Sequence, residues 1–279
     1  MSATPLDEAV ARYQTQFVDL IAAQLERSAA PMRALELMCG DGFASFRLLP
    51  LLPADSHLVA LCEERQSLKA LHEALPVELR GRLFPRKEST SRLPFAADVF
   101  DLVWSSQVRM PFANPKALVR QALQVLKPGG MLVLATPVIE TFMELVRIAS
   151  EQIADPARLE NLRPALLDRS RTLDVEGWVE LMRRAGAQDV RFQRARLELQ
   201  LAAPMSSARV FTQHLLPIAL PGDFVRQAEL VRLFDTHITT PQRLIVTIAC
   251  IVGRKAATAA ATVAPPTLEP ATAPAPASH

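Results

Sequence analysis

Two glycines, Gly40 and Gly42, follow directly on an apolar segment, in the sequence Ala34-Leu-Glu-Leu-Met-Cys-Gly-Asp-Gly-Phe43. The chain has only nine glycines among 279 residues, so a pair in one turn indicates a requirement of the backbone there. Glycine lacks the Cβ atom that would collide with a ligand, and it readily adopts positive φ. A helix that begins after such a turn also presents unsatisfied N–H groups. The pattern predicts a strand, a turn and a helix that bring bare backbone against a small cofactor.

A second pair of glycines lies in the segment Lys127-Pro-Gly-Gly-Met131, between a helical pattern and an apolar run. Glycine next to proline is typical of a tight turn, so we expect this pair to be structural. Ser105 and Ser106 end another apolar run. Because open α/β sheets bind ligands at the carboxyl ends of their strands, these two serines are candidate site residues.

The segments that must position these residues alternate between strand-like and helix-like patterns. Apolar runs predict strands at 33–38, 57–62, 82–86, 99–105 and 131–136. Apolar residues at three-to-four spacing predict helices at 6–27, 43–49, 64–75 and 116–126. Such alternation is typical of a parallel sheet with helices on both faces and right-handed crossovers. The sequence therefore predicts an α/β fold.

The rest of the chain adds elements that leave this framework. We expect helices at 139–153, 175–185 and 223–234, short strands at 189–192 and 197–201, and a long apolar strand at 242–255. Asp174 is the expected N-cap of the second of these helices, and Gly186 its end. The segments 138–172 and 204–241 are expected to be insertions that cover the carboxyl edge of the sheet.

Three regions follow from this organisation. We expect residues 1–30 to form a helical lid and residues 31–255 to form the α/β domain. Residues 256–279 are almost entirely Ala, Thr and Pro. Because such a segment cannot build a core, we expect a disordered tail there.

Composition narrows the classes of function. Apolar residues make up 49% of the chain and charged residues 22%, and the mean hydropathy is +0.14, as in globular proteins that bury a large core. The net charge is +2 without a dense run of Lys or Arg, which disfavours nucleic acid as a partner. The longest apolar runs, 131–139 and 244–253, are shorter than the roughly 20 residues that span a bilayer. Since the start lacks a signal-peptide pattern, we expect a cytoplasmic protein without a membrane span.

The three cysteines, Cys39, Cys62 and Cys250, all lie in apolar, strand-like settings. An odd number of cysteines in such settings favours buried, reduced thiols in a reducing compartment. Their spacing does not match a metal site, so we expect no metal.

Three blocks of sequence, taken together and in this order, resemble the class I S-adenosylmethionine-dependent methyltransferases, in particular the group that acts on small molecules and quinones. The blocks are Leu35-Glu-Leu-Met-Cys-Gly-Asp-Gly42, Leu93-Pro-Phe-Ala-Ala-Asp-Val-Phe-Asp-Leu-Val-Trp-Ser-Ser106 and Val125-Leu-Lys-Pro-Gly-Gly-Met-Leu-Val-Leu134. The resemblance covers about residues 33–136, with a looser similarity in 242–255. It implies a Rossmann-like, doubly wound, mostly parallel seven-stranded sheet with an antiparallel last strand. A nicotinamide-binding motif fits poorly, because its third glycine would be Ser45.

The resemblance also implies S-adenosylmethionine as the cofactor, and it assigns roles to residues around the glycine turn. Glu36, at the end of the first strand, would hold the turn or meet the ammonium group through ordered water. Backbone amides around Cys39, Gly40 and Gly42 would line the methionine portion. The N-terminal helix, which carries Tyr13, would fold over the cofactor.

Further cofactor contacts are implied at the ends of the next strands. An acidic side chain about twenty positions beyond the turn would accept the ribose hydroxyls. The aligned position is Cys62, and the acid follows at Glu63. The remaining implied contacts come from the ends of the third and fourth strands: Glu88, Ser89, Ser105 and Ser106.

Three positions depart from the family pattern. Met38 replaces the first loop glycine, Cys62 the ribose-binding acid, and Ser89 the adenine-binding aspartate. On a strand, a slip of one residue turns a side chain to the opposite face, so Glu63 reaches the cofactor only if the strand bends at its end. These departures leave a second hypothesis open, in which a methyltransferase-like domain without turnover acts as a binding or scaffold protein.

For the enzyme hypothesis, the expected reaction is methyl transfer from the sulfonium to a small, largely apolar metabolite. The sulfonium already activates the methyl group, so the protein mainly has to align the reactants and exclude water. For an oxygen acceptor a general base helps, and the candidates are His214, Glu144 and, as an orienting cation, Arg109. A peptide or protein acceptor is a third alternative, which an open groove above the sheet would favour.

Overall fold

A seven-stranded sheet forms the centre of the protein. The computed structural model describes residues 5–26, 28–89, 92–106, 115–168, 172–220 and 222–257. The strands are β1 (Arg33–Glu36), β2 (His57–Cys62), β3 (Leu83–Lys87), β4 (Phe100–Ser105), β5 (Leu126–Pro137), β6 (Ala187–Leu201) and β7 (Gln242–Lys255). Their order across the sheet is β3-β2-β1-β4-β5-β7-β6.

The directions of the strands confirm the expected mixed sheet. The first five strands run parallel, β7 is antiparallel to β5, and β6 is antiparallel to β7. The chain winds from β1 outward to β3 and then crosses back to place β4 on the other side of β1. At such a switch in winding direction the carboxyl ends of the strands leave a crevice that can take a ligand.

Helices flank this sheet, in the order α1 (Pro5–Ala22), α2 (Phe43–Leu48), α3 (Arg65–Ala74), α4 (Pro115–Val125), α5 (Ile139–Gln152), α6 (Pro156–Leu166), α7 (Val175–Arg184), α8 (Leu216–Ala219) and α9 (Phe224–His237). One core cluster packs α1, α2, α3, α5 and the segment after β6 against the sheet. A second cluster packs α4 and α7 against the opposite face. The sheet is thus covered on both sides, as a parallel sheet requires.

Local sequence explains how α7 begins. The side chain of Asp174 accepts a hydrogen bond from the amide of Gly177 at 2.7 Å, which confirms the expected N-cap. From this start the helix turns its apolar side inward, so that Val175, Trp178 and Met182 are buried. The helix ends before Gly186, which has a φ of 94°.

Three elements differ from the sequence-based expectations. The two strand-like pieces at 189–192 and 197–201 are parts of one strand, because β7 pairs with β6 along its whole length across an irregularity between Gln188 and Arg191. Residues 156–166 form α6, with Asp155 as N-cap, where no helix was expected. β5 begins at Leu126 rather than at 131, so the glycine pair expected in a turn lies within that strand.

The segment between β6 and β7 is folded back over the domain. It contains a 3₁₀ turn at Met205–Ser207, a π-helical turn at Val210–Leu215, and then α8 and α9. Phe211 and Phe234 from this segment are fully buried and pack with ring centroids 5.0 Å apart. Among the described residues, none of the helices is both long and apolar enough to cross a bilayer.

Candidate functional site

The turn between β1 and α2 takes three residues into the left-handed region of φ. Met38 has a φ of 57°, Gly40 of 58° and Gly42 of 85°. A Cβ atom added at Gly40 would meet no heavy atom within 4 Å, whereas one at Gly42 would lie 2.9 Å from both Leu71 Cγ and Phe46 Cζ. Gly40 therefore presents uncovered backbone to open space, and Gly42 allows the turn to pack closely against α3.

Backbone hydrogen bonds fix this turn to the ends of the neighbouring strands. The amide of Leu37 donates to the carbonyl of Trp104 on β4 at 2.8 Å, and the amide of Cys39 donates to the carbonyl of Leu61 on β2 at 2.9 Å. The turn consequently lies at the carboxyl edge of the sheet, between β2 and β4, where the winding direction changes.

A pocket of about 420 Å³ opens above this edge. Its volume lies within the range of roughly 300 to 1,000 Å³ that is common for small-molecule sites. Six of the expected cofactor residues line it, namely Met38, Cys39, Gly40, Cys62, Glu63 and Ser106. The side chain of Met38 packs against the second core cluster, and the hollow beside it is open.

Cys62, the last residue of β2, and Glu63, which follows the strand, both line the pocket. The strand ends at Cys62, and α3 begins at Arg65, so the alternation of a regular strand stops before Glu63. For that reason Glu63 joins Cys62 in the pocket wall, even though neighbouring residues on a strand point to opposite faces. An acid and an uncovered backbone turn are thus available on one side of the same hollow.

Glu36 lies beneath the pocket and is fully buried. Its carboxylate accepts a hydrogen bond from the hydroxyl of Ser45 on α2 and a longer one, at 3.5 Å, from the hydroxyl of Ser106 after β4. Desolvation by burial raises the pKa of this carboxyl to about 7, against the opposing effect of these hydrogen bonds. Glu36 therefore joins β1 to α2 and to the end of β4, and it can exchange a proton near neutral pH.

A disulfide joins Cys39 in the turn to Cys62 at the end of β2, with the two Cα atoms 5.5 Å apart. The expectation of three reduced thiols was therefore wrong for two of them. It rested on an odd number of cysteines and could not take account of strand order, which makes β1 and β2 neighbours. Cys250 is the free, buried cysteine, and burial raises the pKa of its thiol to about 12.

The pocket is roofed by α1 and by the π-helical turn. Val10 and Gln14 of α1 line it from one side, and Arg209, Gln213 and His214 line it from the other. The rings of Tyr13 and His214 approach to 5.2 Å between centroids, which ties α1 to the π-helical turn. π-Helical turns are rare and occur often at functional sites.

The other six expected cofactor residues do not line the pocket. Tyr13 is fully buried and packs against Phe17 in the core. Ser105 is also fully buried. The amide of Glu88 donates to the carbonyl of Cys62 at 3.2 Å, which places the start of the β3–β4 connection close to the site. The remaining expected cofactor residues that do not line the pocket are Glu36, Gly42 and Ser89.

Of the two expected catalytic residues that the structure describes, His214 lines the pocket and Glu144 does not. Glu144 lies on α5 and forms an ion pair with Arg147, with 2.7 Å between Oε1 and Nη2. A hydrogen bond from Arg147 lowers the pKa of the Glu144 carboxyl. Arg109 lies outside the described residues, as does most of the tail expected at 256–279.

Sequence reasoning missed several pocket residues. On the turn side these are Asp41, Phe43, Ala44, Glu64 and Ser67, and on the roof side Val10, Gln14, Arg209 and Gln213. The first group flanks the glycine turn and the end of β2, so proximity in sequence to the motif could have indicated it. The second group comes from segments without a motif, and only the packing of the chain brings it to the pocket.

The strand order, the glycine turn and the pocket at the switch point are those of a Rossmann-like, doubly wound fold. Residues 35–134 match the model of the methyltransferase domain family. The elements outside this match continue the sheet and line the pocket.

Individual proteins also resemble the chain in sequence or in fold. The chain is similar to the malonyl-[acyl-carrier protein] O-methyltransferase of Legionella pneumophila, at 30% identity over 50% of this chain and 48% of that one. It thus spans about half the length of that relative. The YcgJ protein of Bacillus subtilis has a similar structure, with a TM-score of 0.59 and 14% identity over 88% of this chain and 100% of that one. The phosphoethanolamine N-methyltransferase 2 of Haemonchus contortus, solved with S-adenosyl-L-methionine, also has a similar structure. Its TM-score is 0.54, with 11% identity over 87% of this chain and 52% of that one.

Proposed function

We propose that this protein binds S-adenosylmethionine in the pocket above the glycine turn and transfers its methyl group to a small, largely apolar metabolite. The observation that carries the proposal is the uncovered backbone at Gly40, which opens into a hollow of about 420 Å³. The match to the methyltransferase domain family over residues 35–134 supports it.

The residues of the pocket fit the chemical groups of this cofactor. The backbone at Cys39 and Gly40 suits the amino-acid portion, because no side chain at Gly40 covers it. The carboxylate of Glu63 is an acceptor of the kind that a ribose diol needs, and Ser106 adds a hydroxyl. When bound, S-adenosylmethionine supplies a methyl group that its sulfonium charge has already activated. The protein then has to bind, orient and exclude water.

The roof of the pocket provides the groups that would receive the acceptor molecule. Buried apolar residues of the π-helical turn and α8, including Phe211, Leu215 and Ile218, form the core of this roof. Arg209 and His214 stand at its pocket side. An acceptor with an apolar body and one acidic oxygen fits this arrangement, because Arg209 can orient the oxygen and His214 can take a proton from it.

The name of one relative suggests a second class of methyl acceptor. The Legionella protein is named as an O-methyltransferase of malonyl-[acyl-carrier protein]. An acyl group attached to a carrier protein is therefore a second candidate acceptor, and it would reach the pocket from the side of α1 and the π-helical turn. Turnover with one acyl acid attached to a carrier protein, compared with turnover with the same acid free in solution, distinguishes the two candidates.

The alternative function is a binding protein without turnover. It rests on Met38, Cys62 and Ser89, which replace a loop glycine, the ribose-binding acid and the adenine-binding aspartate of the family pattern. Two features favour the enzyme over this alternative. Met38, which lines the pocket, is partly buried and packs against the second core cluster. Glu63 stands in the pocket wall next to Cys62, which replaces the acid.

Calorimetric titration with S-adenosylmethionine and S-adenosylhomocysteine tests the proposal. We expect binding with a micromolar dissociation constant, and about tenfold weaker binding for Gly40→Ala, because a methyl group there enters the hollow. Gly81→Ala is the matched control: Gly81 also has positive φ and open space around its missing Cβ, but it precedes β3 away from the pocket. Release of S-adenosylhomocysteine with a panel of acceptors reports turnover.

The outcomes separate the hypotheses. Absence of heat in a folded protein at high micromolar ligand would refute cofactor binding. Binding without release of S-adenosylhomocysteine for any acceptor, free or carrier-bound, would favour the binding protein. Equal losses of affinity in Gly40→Ala and Gly81→Ala would show that the effect comes from backbone strain and not from the pocket.

A further inference from the structure

The disulfide between Cys39 and Cys62 is part of the wall of the pocket. Both cysteines line the hollow, and both sulfur atoms lie 3.8 Å from the carbonyl oxygen of Gly40. The bridge is therefore in contact with the residue whose uncovered backbone faces the pocket. Any change in its covalent state acts directly on the surface that the cofactor would touch.

The bridge connects a strained turn to a regular strand. Residues with positive φ other than glycine are strained, and Met38 next to the bridge has a φ of 57°. On this side of the turn, the amide of Cys39 donates to the carbonyl of Leu61. The bridge adds a covalent bond between the turn and Cys62, which β2 holds in the sheet.

We propose that Cys39 and Cys62 form a redox modification site, and that the disulfide state binds the cofactor more tightly than the dithiol state. This inference rests on the proposed function, because it concerns the affinity of the same pocket. In the disulfide state the turn is held in the shape that exposes Gly40. In the dithiol state the turn has one tether fewer and can relax the left-handed conformation of Met38.

The chemical step is thiol–disulfide exchange with a low-molecular-weight disulfide. The thiolate of one cysteine attacks a sulfur of the reagent, whose S–S bond breaks and releases one thiol. The second cysteine then attacks the mixed disulfide, the Cys39–Cys62 bond forms, and a second thiol leaves. The protein loses two protons and two electrons, and the reagent becomes two thiols.

The surroundings of the pair determine which reagent can reach it. The cysteines themselves are 5% and 1% exposed, so access is through the pocket and not over the outer surface. Three acidic residues, Asp41, Glu63 and Glu64, line the same hollow against one arginine, Arg209. This excess of negative charge disfavours an anionic reagent. A small neutral disulfide such as bis(2-hydroxyethyl) disulfide is the suitable probe, and a bound cofactor should cover the pair.

The experiment compares the oxidised and reduced forms of the full chain. The protein is treated with bis(2-hydroxyethyl) disulfide or with a phosphine reductant, the reagent is removed, and S-adenosylhomocysteine is titrated calorimetrically. We expect about tenfold weaker binding after reduction, which is a coupling of ordinary size. Cys62→Ser should bind like the reduced protein under both treatments. Cys250→Ala should keep the full difference, because Cys250 does not line the pocket and its thiol donates a hydrogen bond to the carbonyl of Leu20.

A second measurement does not depend on any variant. In a dithiothreitol redox buffer, saturating S-adenosylhomocysteine should raise the equilibrium ratio of disulfide to dithiol by the same factor as the affinity difference, since coupling between two sites is reciprocal. Thiol labelling followed by mass spectrometry reads this ratio.

The possible results differ for the two proposals. Equal affinity of the oxidised and reduced forms, together with a ratio that the ligand leaves unchanged, would overturn the redox inference and leave the proposed function intact. Tighter binding after reduction would also overturn it. Absence of binding in both states would refute the proposed function and the redox inference with it.

Discussion

The buried carboxyl of Glu36 predicts a specific pH dependence of stability. Its pKa is raised to about 7 from an ordinary value of 4.5, with desolvation by burial as the main cause. Between these two pH values the folded protein holds a proton that the unfolded chain has lost. The free energy of unfolding therefore falls as the pH rises through this window.

Glu36→Gln removes the ionisation and keeps one oxygen, which can still accept the hydrogen bond from Ser45, while its NH2 group takes the place of the oxygen that accepts the longer bond from Ser106. A pKa change from 4.5 to about 7 corresponds to roughly 3 kcal/mol at most, at 1.36 kcal/mol for each tenfold change in acidity. We therefore expect the variant to gain stability relative to the wild-type protein, by about 1 kcal/mol at pH 5 and about 3 kcal/mol at pH 8.

Urea unfolding of both proteins at pH 5, 6, 7 and 8, without cofactor, measures this difference. Glu78→Gln is the control, because Glu78 is exposed and its loss of charge should produce no such trend. A difference between Glu36→Gln and wild type that stays constant from pH 5 to pH 8 would refute the reasoning. It would mean that the carboxyl is already ionised at pH 5 and that its hydrogen bonds outweigh its burial.

The other predictions concern the roof and the turn. His214→Asn should lower turnover by about 100-fold, because the variant loses a general base. The dissociation constant of S-adenosylhomocysteine should change less than about twofold. The control variant His72→Asn, on the exposed side of α3, should change neither turnover nor this dissociation constant. Gly42→Ala should lower the free energy of unfolding by about 2 kcal/mol more than Gly81→Ala in urea, since only the first adds contacts of 2.9 Å to Leu71 and Phe46. An equal loss in both glycine variants, or unaltered turnover in His214→Asn, would contradict these expectations.

Much of the fold could be predicted from local patterns. The apolar run at 57–62 is β2 without any change of bounds, and the helix expected at 64–75 is α3 to within one residue at each end. These elements agree because an apolar run and a three-to-four periodicity reflect burial of one strand or one helix face. The glycine turn was likewise evident, since positive φ and the absence of Cβ restrict the choice of residue.

Prediction was poorer where partners distant in sequence decide the conformation. The exposed middle of β6 has a polar sequence that favours no strand, and it is a strand because β7 pairs with it. Residues 156–166 have little amphipathic pattern, yet they form α6 against α5. In both cases tertiary packing overrides weak local preference.

The sequence by itself determined the α/β order and the glycine turn, because these depend on the conformational properties of consecutive residues. The expectation of S-adenosylmethionine came instead from the resemblance of three sequence blocks to a methyltransferase family. Only the tertiary structure decided which residues complete the pocket. Strand order brings Cys39 to Cys62, and the end of β2 lets Glu63 face the hollow. The folding of the segment after β6 brings Arg209 and His214 to the pocket. These residues are far along the chain from the glycine turn, and no local sequence pattern predicts that they meet it.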